Sequence, residues 1–215
     1  MIISFVSQKG GVGKSTLTRL IAREYASHGW DVKISDMDAN QGTCVSWQRR
    51  RVSAGISPDI AAETFPTVQK AIQAAKQHDL LLFDSAPHSS QMTLQIARSS
   101  DVVILPCGIA LDDLEPQVLL AHDLVKSGVA KDKIAFALCR VGDSEAELSE
   151  AKEYITRAGH NLLKGFIPER TSYRRASDAG LSITETNFLS LNKKAEELAQ
   201  SIIDMAQAKQ TEGEK

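Results

Sequence analysis

The sequence predicts a single α/β domain in which a mostly parallel central sheet is covered by helices on both faces. Three observations support this fold class. The chain has 215 residues, the size of one compact domain. Short apolar segments rich in β-branched residues alternate with longer segments in which apolar residues recur at helical spacing. The strand-like segments are almost continuously apolar, which is typical of parallel strands buried on both faces.

Strands and helices alternate in order from the first residues onward. The predicted strands cover residues 2–6, 32–35, 80–83, 102–105, 134–138 and 165–167. The predicted helices cover residues 14–27, 68–77, 113–127, 145–158 and 191–208. Gly29 and Gly128 follow two of these helices, where glycine can end a helix and turn the chain toward the next strand. We therefore expect one domain over residues 1–208 and a frayed polar tail over residues 209–215.

The composition excludes several classes of protein. Lys and Arg number 25 against 27 for Asp and Glu, so any affinity for DNA must come from a local basic surface. The three cysteines are far apart and lack metal-binding spacing, so neither a disulfide framework nor a zinc site is predicted. The longest apolar run, residues 102–111, is too short to cross a bilayer. With no signal-peptide pattern at the start, we expect a cytoplasmic protein.

A glycine-rich segment, GGVGKST at residues 10–16, lies between the first predicted strand and the first predicted helix. This is the context of a P-loop, in which glycine N–H groups converge on phosphate oxygens. Lys14 can neutralise the β- and γ-phosphates, and the Ser15 hydroxyl can bind Mg²⁺. A plain glycine-rich turn would need neither side chain. Gln8 stands where the standard pattern has glycine, so the loop is a deviant Walker A motif. The predicted phosphate-binding residues are Gly10, Gly11, Val12, Gly13, Lys14, Ser15 and Thr16.

Acidic residues follow two of the predicted strands. Asp84 comes directly after residues 80–83 and is the expected partner of Ser15 in holding Mg²⁺. Asp36 and Asp38 follow residues 32–35, so they belong to the same carboxyl edge of the sheet, where ligands bind in open α/β folds. Beside a triphosphate these two carboxylates can order water or metal. They can equally well cap the next helix, and the spacing leaves both interpretations open.

Four segments together resemble a known family. They are KGGVGKST, DMDANQGT, LLLFDSAP and IPERTSYRRASDAG, which begin at residues 9, 36, 80 and 167. In this order and spacing they resemble the ParA branch of the ParA/MinD partition ATPases, from Ile2 to about Glu185. The resemblance implies an ATP-dependent sandwich dimer in which Lys9 reaches the partner's phosphates. It also implies that Lys14 is the phosphate-loop lysine.

The resemblance assigns the remaining catalytic roles as well. Ser15 and Asp84 would serve Mg²⁺, and Asp38 would position or activate the attacking water. The family's usual D-x-D-P-Q reads here as DMDANQ, without the proline and with one residue added before Gln41, so the role of Gln41 stays open. Many relatives begin with a helix-turn-helix segment, whereas this chain begins at the first strand. It therefore resembles the small ParA type, which is not expected to repress through its own operator.

Two further segments indicate which nucleotide base is bound and whether the protein binds a membrane. GTPases of this superfamily recognise guanine with N-K-x-D, but the Asn-Lys pair here is followed by Ala195 at the fourth position, which favours ATP. Arg140 and Pro168 resemble the adenine-contact region of the family, although Arg140 is also compatible with an ordinary surface arginine. The last predicted helix lacks aromatic residues and carries acidic ones on its polar face. We therefore expect it to pack on the core and expect no membrane partner.

Residues 164–175 contain four basic side chains and a single acidic one, Glu169. Such a surface can bind the phosphodiester backbone without reading bases, and Arg174 and Arg175 are the predicted DNA contacts. Residues 49–51 form a second arginine cluster. For both clusters an ordinary solvated helix remains the alternative.

Together these observations predict a nucleoid-associated ATPase that forms a homodimer with ATP and binds DNA nonspecifically. A ParB-like protein or cargo adaptor would stimulate its weak ATP hydrolysis, and the cargo would be a plasmid, a chromosome or a protein assembly. The alternatives are a MinD-like membrane-positioning ATPase, a metabolic P-loop enzyme of the same superfamily, and a nucleotide-gated adaptor with negligible turnover. Lys9 argues against a ligase of the dethiobiotin-synthetase type, and the cysteine positions argue against a reductase like the nitrogenase iron protein.

Overall fold

The structure, a computed structural model, describes residues 1–87 and 90–213. Its strands are β1 Ile2–Phe5, β2 Val32–Asp36, β3 Ala61–Thr64, β4 Leu80–Asp84, β5 Val102–Cys107, β6 Ile134–Val141, β7 Asn161–Leu162 and β8 Ile167–Pro168. Its α-helices are α1 Lys14–Ser27, α2 Thr43–Ser53, α3 Val68–Ala74, α4 Ser90–Ser99, α5 Leu111–Lys126, α6 Glu145–Arg157, α7 Thr171–Asp178 and α8 Leu189–Gly213. A short 3-10 turn at Lys131–Lys133 precedes β6.

The described strands form one sheet in which every pairing is parallel. The strand order is β3-β2-β4-β1-β5-β6-β7, and β8 pairs with β6. The predicted α/β fold with a parallel sheet is therefore confirmed. Strand β1 lies in the middle, and Phe5 is in register with Asp84 on one side and Ile104 on the other. The loop after β1 thus opens at the carboxyl edge where the connections diverge to the two sides of the sheet, which is where open α/β folds bind ligands.

Helices cover both faces of the sheet. Successive strand residues point to opposite faces, so Ile3 and Phe5 pack with α1, α2, α7 and α8, whereas Val6 packs with α3, α4, α5 and α6. All three of these side chains are fully buried. Burial on both faces explains why the strand segments are nearly continuous apolar runs rather than alternating ones.

The last helix is longer than the sequence predicts. It covers Leu189–Gly213 instead of residues 191–208, and its apolar face packs against the core through Ala195, Leu198, Ala199, Ile202 and Ala206. The tail expected to fray from residue 209 is helical as far as Gly213, and an ion pair between Lys209 and Asp132 anchors this part of the helix. Residues 214–215 lie outside the described residues. No helix in the described ranges is long and apolar enough to cross a membrane.

Candidate functional site

The glycine-rich loop joins the central strand β1 to the first turn of α1. Gly13, the residue before α1, has φ 111°, and a Cβ atom there would lie 3.0 Å from Sγ of Cys139. Only glycine tolerates both the positive φ and the close approach. No side chain in the described residues caps α1, so its first backbone N–H groups are open to an anion. The local geometry is therefore that of a phosphate-binding loop.

Lys14 is held inside this loop. Its ammonium group donates a hydrogen bond to the backbone carbonyl of Lys9 at 3.0 Å, and the residue is only 7% exposed. Burial lowers the pKa of Lys14, while the nearby carboxylates of Asp84 and Asp38 raise it. The loop thus carries a buried lysine whose charge two carboxylates support from the neighbouring strand ends.

Asp84 ends β4 directly beside Asp36 at the end of β2, because the two residues are in register on adjacent strands. Burial raises the pKa of Asp84 to about 6, although the nearby Ser15 hydroxyl opposes the rise. The Asp36 carboxylate raises this pKa further, and the hydrogen bond with Cys44 lowers it. The thiol of Cys44 donates to Oδ2 of Asp84 at 3.1 Å. The other oxygen, Oδ1, is buried without a hydrogen-bond partner among the described residues.

The unpartnered Oδ1 of Asp84 fits the predicted magnesium site. A buried carboxylate oxygen without a donor is costly unless a cation or water satisfies it. The hydroxyl of Ser15 lies beside the same carboxylate, and Mg²⁺ prefers such oxygen ligands. Ser15 and Asp84 would therefore hold the ion, which when bound would neutralise charge on the β- and γ-phosphates. Ligand atoms of Asp36, Cys44 and Asp84 also lie within 4.8 Å of one another. The carboxylate of Asp36, however, already accepts a hydrogen bond from the backbone N–H of Cys44.

The two carboxylates of the DMD segment have different surroundings. Oδ2 of Asp36 accepts the backbone N–H groups of Cys44 at 2.8 Å and Val45 at 3.4 Å, so this buried residue caps α2. Oδ1 of Asp38 accepts the backbone N–H of Gln41 at 3.1 Å, and Asp38 faces the cavity described next. Asp36 thus caps helix α2, whereas the carboxylate of Asp38 is available to a ligand.

A cavity of about 500 Å³ brings most of the predicted residues together. This is within the usual size range of small-molecule sites. Of the residues predicted from the sequence, those that line the cavity are Gly10, Gly11, Gly13, Lys14, Ser15, Thr16, Asp38, Asp84, Arg140, Pro168 and Arg174. Val12 is buried behind the loop, and the ammonium of Lys9 pairs with Asp113 instead. The roles assigned to all these residues remain predictions.

Arg140 and Pro168 border the cavity at the ends of β6 and β8. Arg140 has φ 56°, and it lies where the β6–β8 register shifts between Cys139 and Val141. Its guanidinium donates to the carbonyl of Gly11 at 3.3 Å and to Glu169 at 2.8 Å. Arg140 therefore lies against the phosphate loop and is not an isolated surface arginine.

The predicted DNA-binding surface is partly neutralised within the chain. Arg174 pairs with Glu169 at 3.0 Å, and Arg170 pairs with Asp143. Arg175 is exposed on the same helix, α7. Two of the arginines in this region are therefore paired with carboxylates of the same chain.

The arginines of the second cluster, residues 49–51, are not all exposed to solvent. Arg51 is only 1% exposed, donates to the carboxylate of Glu185 at 2.7 and 3.0 Å, and stacks on Trp47. Its guanidinium also donates to the carbonyl of Gly180. Arg51 thus stabilises the packing of α2 against the segment before α8 and is not free to contact phosphates.

Comparison with known proteins decides the family. The model of the CobQ/CobB/MinD/ParA nucleotide binding domain matches residues 3–183. The chain belongs to this family. The resemblance to ParA/MinD proteins noted on the four segments is thereby confirmed.

Individual members of the family are distant in sequence but similar in extent. The maintenance of carboxysome distribution protein A of Gloeobacter kilaueensis is 26% identical, over 86% of this chain and 84% of that protein. The protein ParA of Rhizobium radiobacter is 26% identical, over 80% of each chain. The septum site-determining protein MinD of Pyrococcus horikoshii, solved with Mg-ADP, is 21% identical, covers 97% of this chain and 98% of its own, and superimposes with a TM-score of 0.75.

In this member of the CobQ/CobB/MinD/ParA family, further residues line the cavity to which the sequence assigned no role in it. They are Gln41, Thr43, Ser85, Pro87, Cys139, Ile167, Glu169, Arg170, Tyr173, Ser177 and Asp178. Many of them belong to the segment IPERTSYRRASDAG, which was recognised as a motif without a role for each residue. The signal that could have found Tyr173 and Ser177 is their helical spacing of four, which places both on one face of α7.

Proposed function

We propose that this ParA/MinD-family protein binds and hydrolyses ATP as a sandwich homodimer, and that the ATP dimer binds DNA without sequence preference. A ParB-like protein or cargo adaptor would stimulate hydrolysis and release the dimer from the nucleoid. The observation that carries the proposal is the convergence of Lys14, Ser15, Asp84 and Asp38 on one cavity at the phosphate loop. The names of the ParA and carboxysome-distribution relatives support a role in positioning cargo.

Nucleotide binding follows from the loop and its surroundings. The open N–H groups of α1 and the Lys14 ammonium would bind the phosphates, and Ser15 with Asp84 would hold Mg²⁺. The part of the cavity bordered by Arg140 and Pro168 would receive the adenine. The volume of about 500 Å³ accommodates a nucleotide of this size.

Hydrolysis would depend on Asp38. Its Oδ1 accepts the backbone N–H of Gln41, which fixes the direction of the carboxylate at the cavity. A carboxylate in this position can orient a water molecule for attack on the γ-phosphate. Asp36 supports this geometry, because its Oδ1 accepts the backbone N–H of Asp38 at 3.2 Å.

Dimerisation would depend on Lys9. Its side chain is 45% exposed, and its ammonium lies outside the cavity of its own chain, paired with Asp113. A lysine in this position can exchange its carboxylate partner for the phosphates of a second protomer. Each protomer would then complete the charge balance of the other's nucleotide.

DNA binding would use Arg174 and Arg175 from both protomers. Because each neutralised phosphate contributes about 0.9 to the slope of log K against log salt, four arginines give a slope of about −3 to −4. Binding should therefore be weak, sensitive to salt and indifferent to sequence. The same surface in a monomer would offer half of these charges.

Light scattering with ATP, combined with ATP hydrolysis measured with and without random duplex DNA, tests this function. We expect Lys9→Ala to stay monomeric with ATP, and Asp38→Ala to form the dimer but hydrolyse ATP slowly. A dimeric Lys9→Ala beside a monomeric Asp38→Ala would reverse these two roles. Wild-type protein that hydrolyses no ATP under any of these conditions would contradict the proposal.

The DNA contacts need a separate measurement. The double variant Arg174→Ala, Arg175→Ala should weaken binding to every duplex equally and leave ATP-driven dimerisation intact. Arg157→Ala, which removes one exposed arginine paired with Glu153 on α6, is the control for loss of a surface arginine elsewhere and should bind DNA normally. A double variant with the wild-type salt slope would place the DNA surface elsewhere.

A further inference from the structure

One carboxylate bridges the nucleotide cavity and the proposed DNA surface. Glu169 follows β8 and accepts hydrogen bonds on both oxygens. Oε2 accepts Nε–H of Arg140 at 2.8 Å, and Oε1 accepts Nη1–H of Arg174 at 3.0 Å. Two guanidinium groups therefore share one negative charge, and their interactions lower the pKa of Glu169.

Arg140 connects this bridge to the phosphate loop. It is the one non-glycine residue with positive φ in the described ranges, and a register shift of β6 against β8 occurs at the same position. Bulges and left-handed residues re-aim side chains and cost free energy, so they persist where the surroundings hold them. Here the side chain is held between Glu169 and the carbonyl of Gly11, 3.3 Å away.

The ion pairs of Glu169 with Arg140 and with Arg174 are exposed to solvent and can exchange partners. The side chains of Arg140, Glu169 and Arg174 are 58%, 38% and 64% exposed. Ion pairs at such exposure are individually weak, so an incoming phosphate can take Arg174 from Glu169. The undivided charge of Glu169 then acts on Arg140 alone and holds it more firmly against the loop.

We propose that Glu169 is a positioning residue that couples retention of the nucleotide to the occupation of Arg174 by a phosphate. When Arg174 leaves Glu169, Arg140 is fixed over the cavity and the nucleotide is released more slowly. Coupling between two sites is reciprocal, so bound nucleotide in turn favours the state in which Arg174 is available. The identity of that phosphate as DNA rests on the proposed function, whereas the link from Arg174 through Glu169 to the cavity does not.

The link can be tested without DNA by the release rate of a fluorescent, slowly hydrolysed ATP analogue in the presence of Mg²⁺. Arg174→Ala removes one of the two groups that share Glu169, so release should slow by about two- to fivefold. Glu169→Gln removes the anchor of Arg140, so release should accelerate by a similar factor. Arg174 also lines the cavity, but the proposal has it act through Glu169, so the double variant should behave as Glu169→Gln does.

Two control variants separate this link from a general effect of charge. Glu153→Gln makes the same charge change as Glu169→Gln and frees Arg157 on α6 instead. Arg157→Ala removes an exposed arginine on α6. Neither should change the release rate. The proposal is overturned if Arg174→Ala releases the analogue at the wild-type rate, if the controls match their counterparts, or if Arg174→Ala still slows release in the absence of the Glu169 carboxylate.

The same assay with random duplex DNA tests the identity of the phosphate. DNA should slow release from the wild-type protein and from Glu153→Gln, and it should have no such effect on Glu169→Gln. Equal slowing in Glu169→Gln would overturn the coupling. DNA binding itself is followed by fluorescence anisotropy, so a wild-type protein that fails to bind DNA contradicts the proposed function while the DNA-free assay still decides the role of Glu169.

Discussion

The ammonium group of Lys9 forms an ion pair with the carboxylate of Asp113 in the first turn of α5. The backbone carbonyl of Asp112 accepts a second hydrogen bond from the same group at 3.3 Å. In the proposed dimer this ammonium reaches the partner's phosphates. Asp113 therefore competes with the nucleotide of the second protomer for Lys9.

Removing this competition should favour the dimer. We expect Asp113→Asn to dimerise at ATP concentrations up to about fivefold lower than the wild type, because exposed ion pairs contribute up to about 1 kcal/mol. Light scattering over a range of ATP concentrations measures the change. Asp112→Asn is the matched control, since only the backbone of Asp112 contacts Lys9. A weaker dimer in Asp113→Asn would show that Asp113 supports the assembly instead.

Replacement of Lys14 should reduce nucleotide affinity. Lys14→Ala removes a charge-assisted contact worth about 1.5–3 kcal/mol, so ATP should bind about tenfold or more weakly. Equilibrium titration with a fluorescent ATP analogue measures this affinity. Lys70→Ala, at an exposed position on α3, removes the same charge away from the cavity and should bind normally. Unchanged affinity in Lys14→Ala would refute the phosphate site.

Substitution of Gly13 and of Gly29 by alanine separates two effects of an added side chain, namely steric crowding and backbone strain. Both have positive φ, 111° and 85°, but a Cβ atom at Gly29 would meet nothing within 4 Å. Gly29→Ala should therefore cost about 1–2 kcal/mol of folding free energy, the usual price of a left-handed residue with a side chain. Gly13→Ala should cost more, because its Cβ also meets Cys139, and it should weaken nucleotide binding. Urea unfolding and nucleotide titration measure the two effects, and equal stability losses would contradict the crowding.

The pair of Arg51 and Glu185 should make stability depend on pH. Burial raises the pKa of Glu185, but hydrogen bonds from Arg51 and the backbone of Ser182 outweigh it, so the pKa lies below the ordinary 4.5. Because the folded-state pKa is the lower one, this carboxylate stabilises the fold above about pH 4.5, and the contribution is lost as pH falls through the folded-state value. Acidification in that range should therefore destabilise the wild type.

Glu185→Gln isolates this contribution. At pH 7 it should cost about 3 kcal/mol or more, because Arg51 is 1% exposed and would lose its counter-charge. The difference from the wild type should shrink as the pH is lowered below 4.5, which urea unfolding at several pH values measures. Glu153→Gln, at an exposed pair with Arg157, is the control and should cost about 0.5 kcal/mol or less. A difference that is constant from pH 7 to pH 3 would contradict the assignment.

The sequence predicts the buried part of the fold better than its margins. Strands β1, β2, β4, β5 and β6 are apolar runs and were expected at nearly the observed positions. Strand β3, Ala61–Thr64, was missed because it lies at the edge of the sheet and is partly exposed, so no continuous apolar run marks it. Helix α2 was expected only as a helix after Trp47 that carries Arg49 to Arg51, because its first turn has no clear apolar spacing around the buried Cys44.

For the site, the sequence predicts the residues proposed to bind phosphates better than the residues that position them. The loop from Gly10 to Thr16 has a spacing that is typical of phosphate binding, and Asp84 follows from its place after a strand. The spacing could not separate Asp36 from Asp38, because the difference is set by which carboxylate the backbone of α2 occupies. Nor could it show Glu169 between two arginines, since that bridge joins β6, β8 and α7 in space.

The central position of β1 affects how the chain folds while it is being synthesised. Ile2 is paired with Leu81 and Ile3 with Val102, so the first strand to be synthesised has no neighbours until two much later strands have left the exit tunnel. Until then the nascent chain exposes an apolar segment and an unformed phosphate loop, because non-local pairing is slow and depends on completed partners. The proposed nucleotide can therefore stabilise the fold only after β4 and β5 are available to pair with β1.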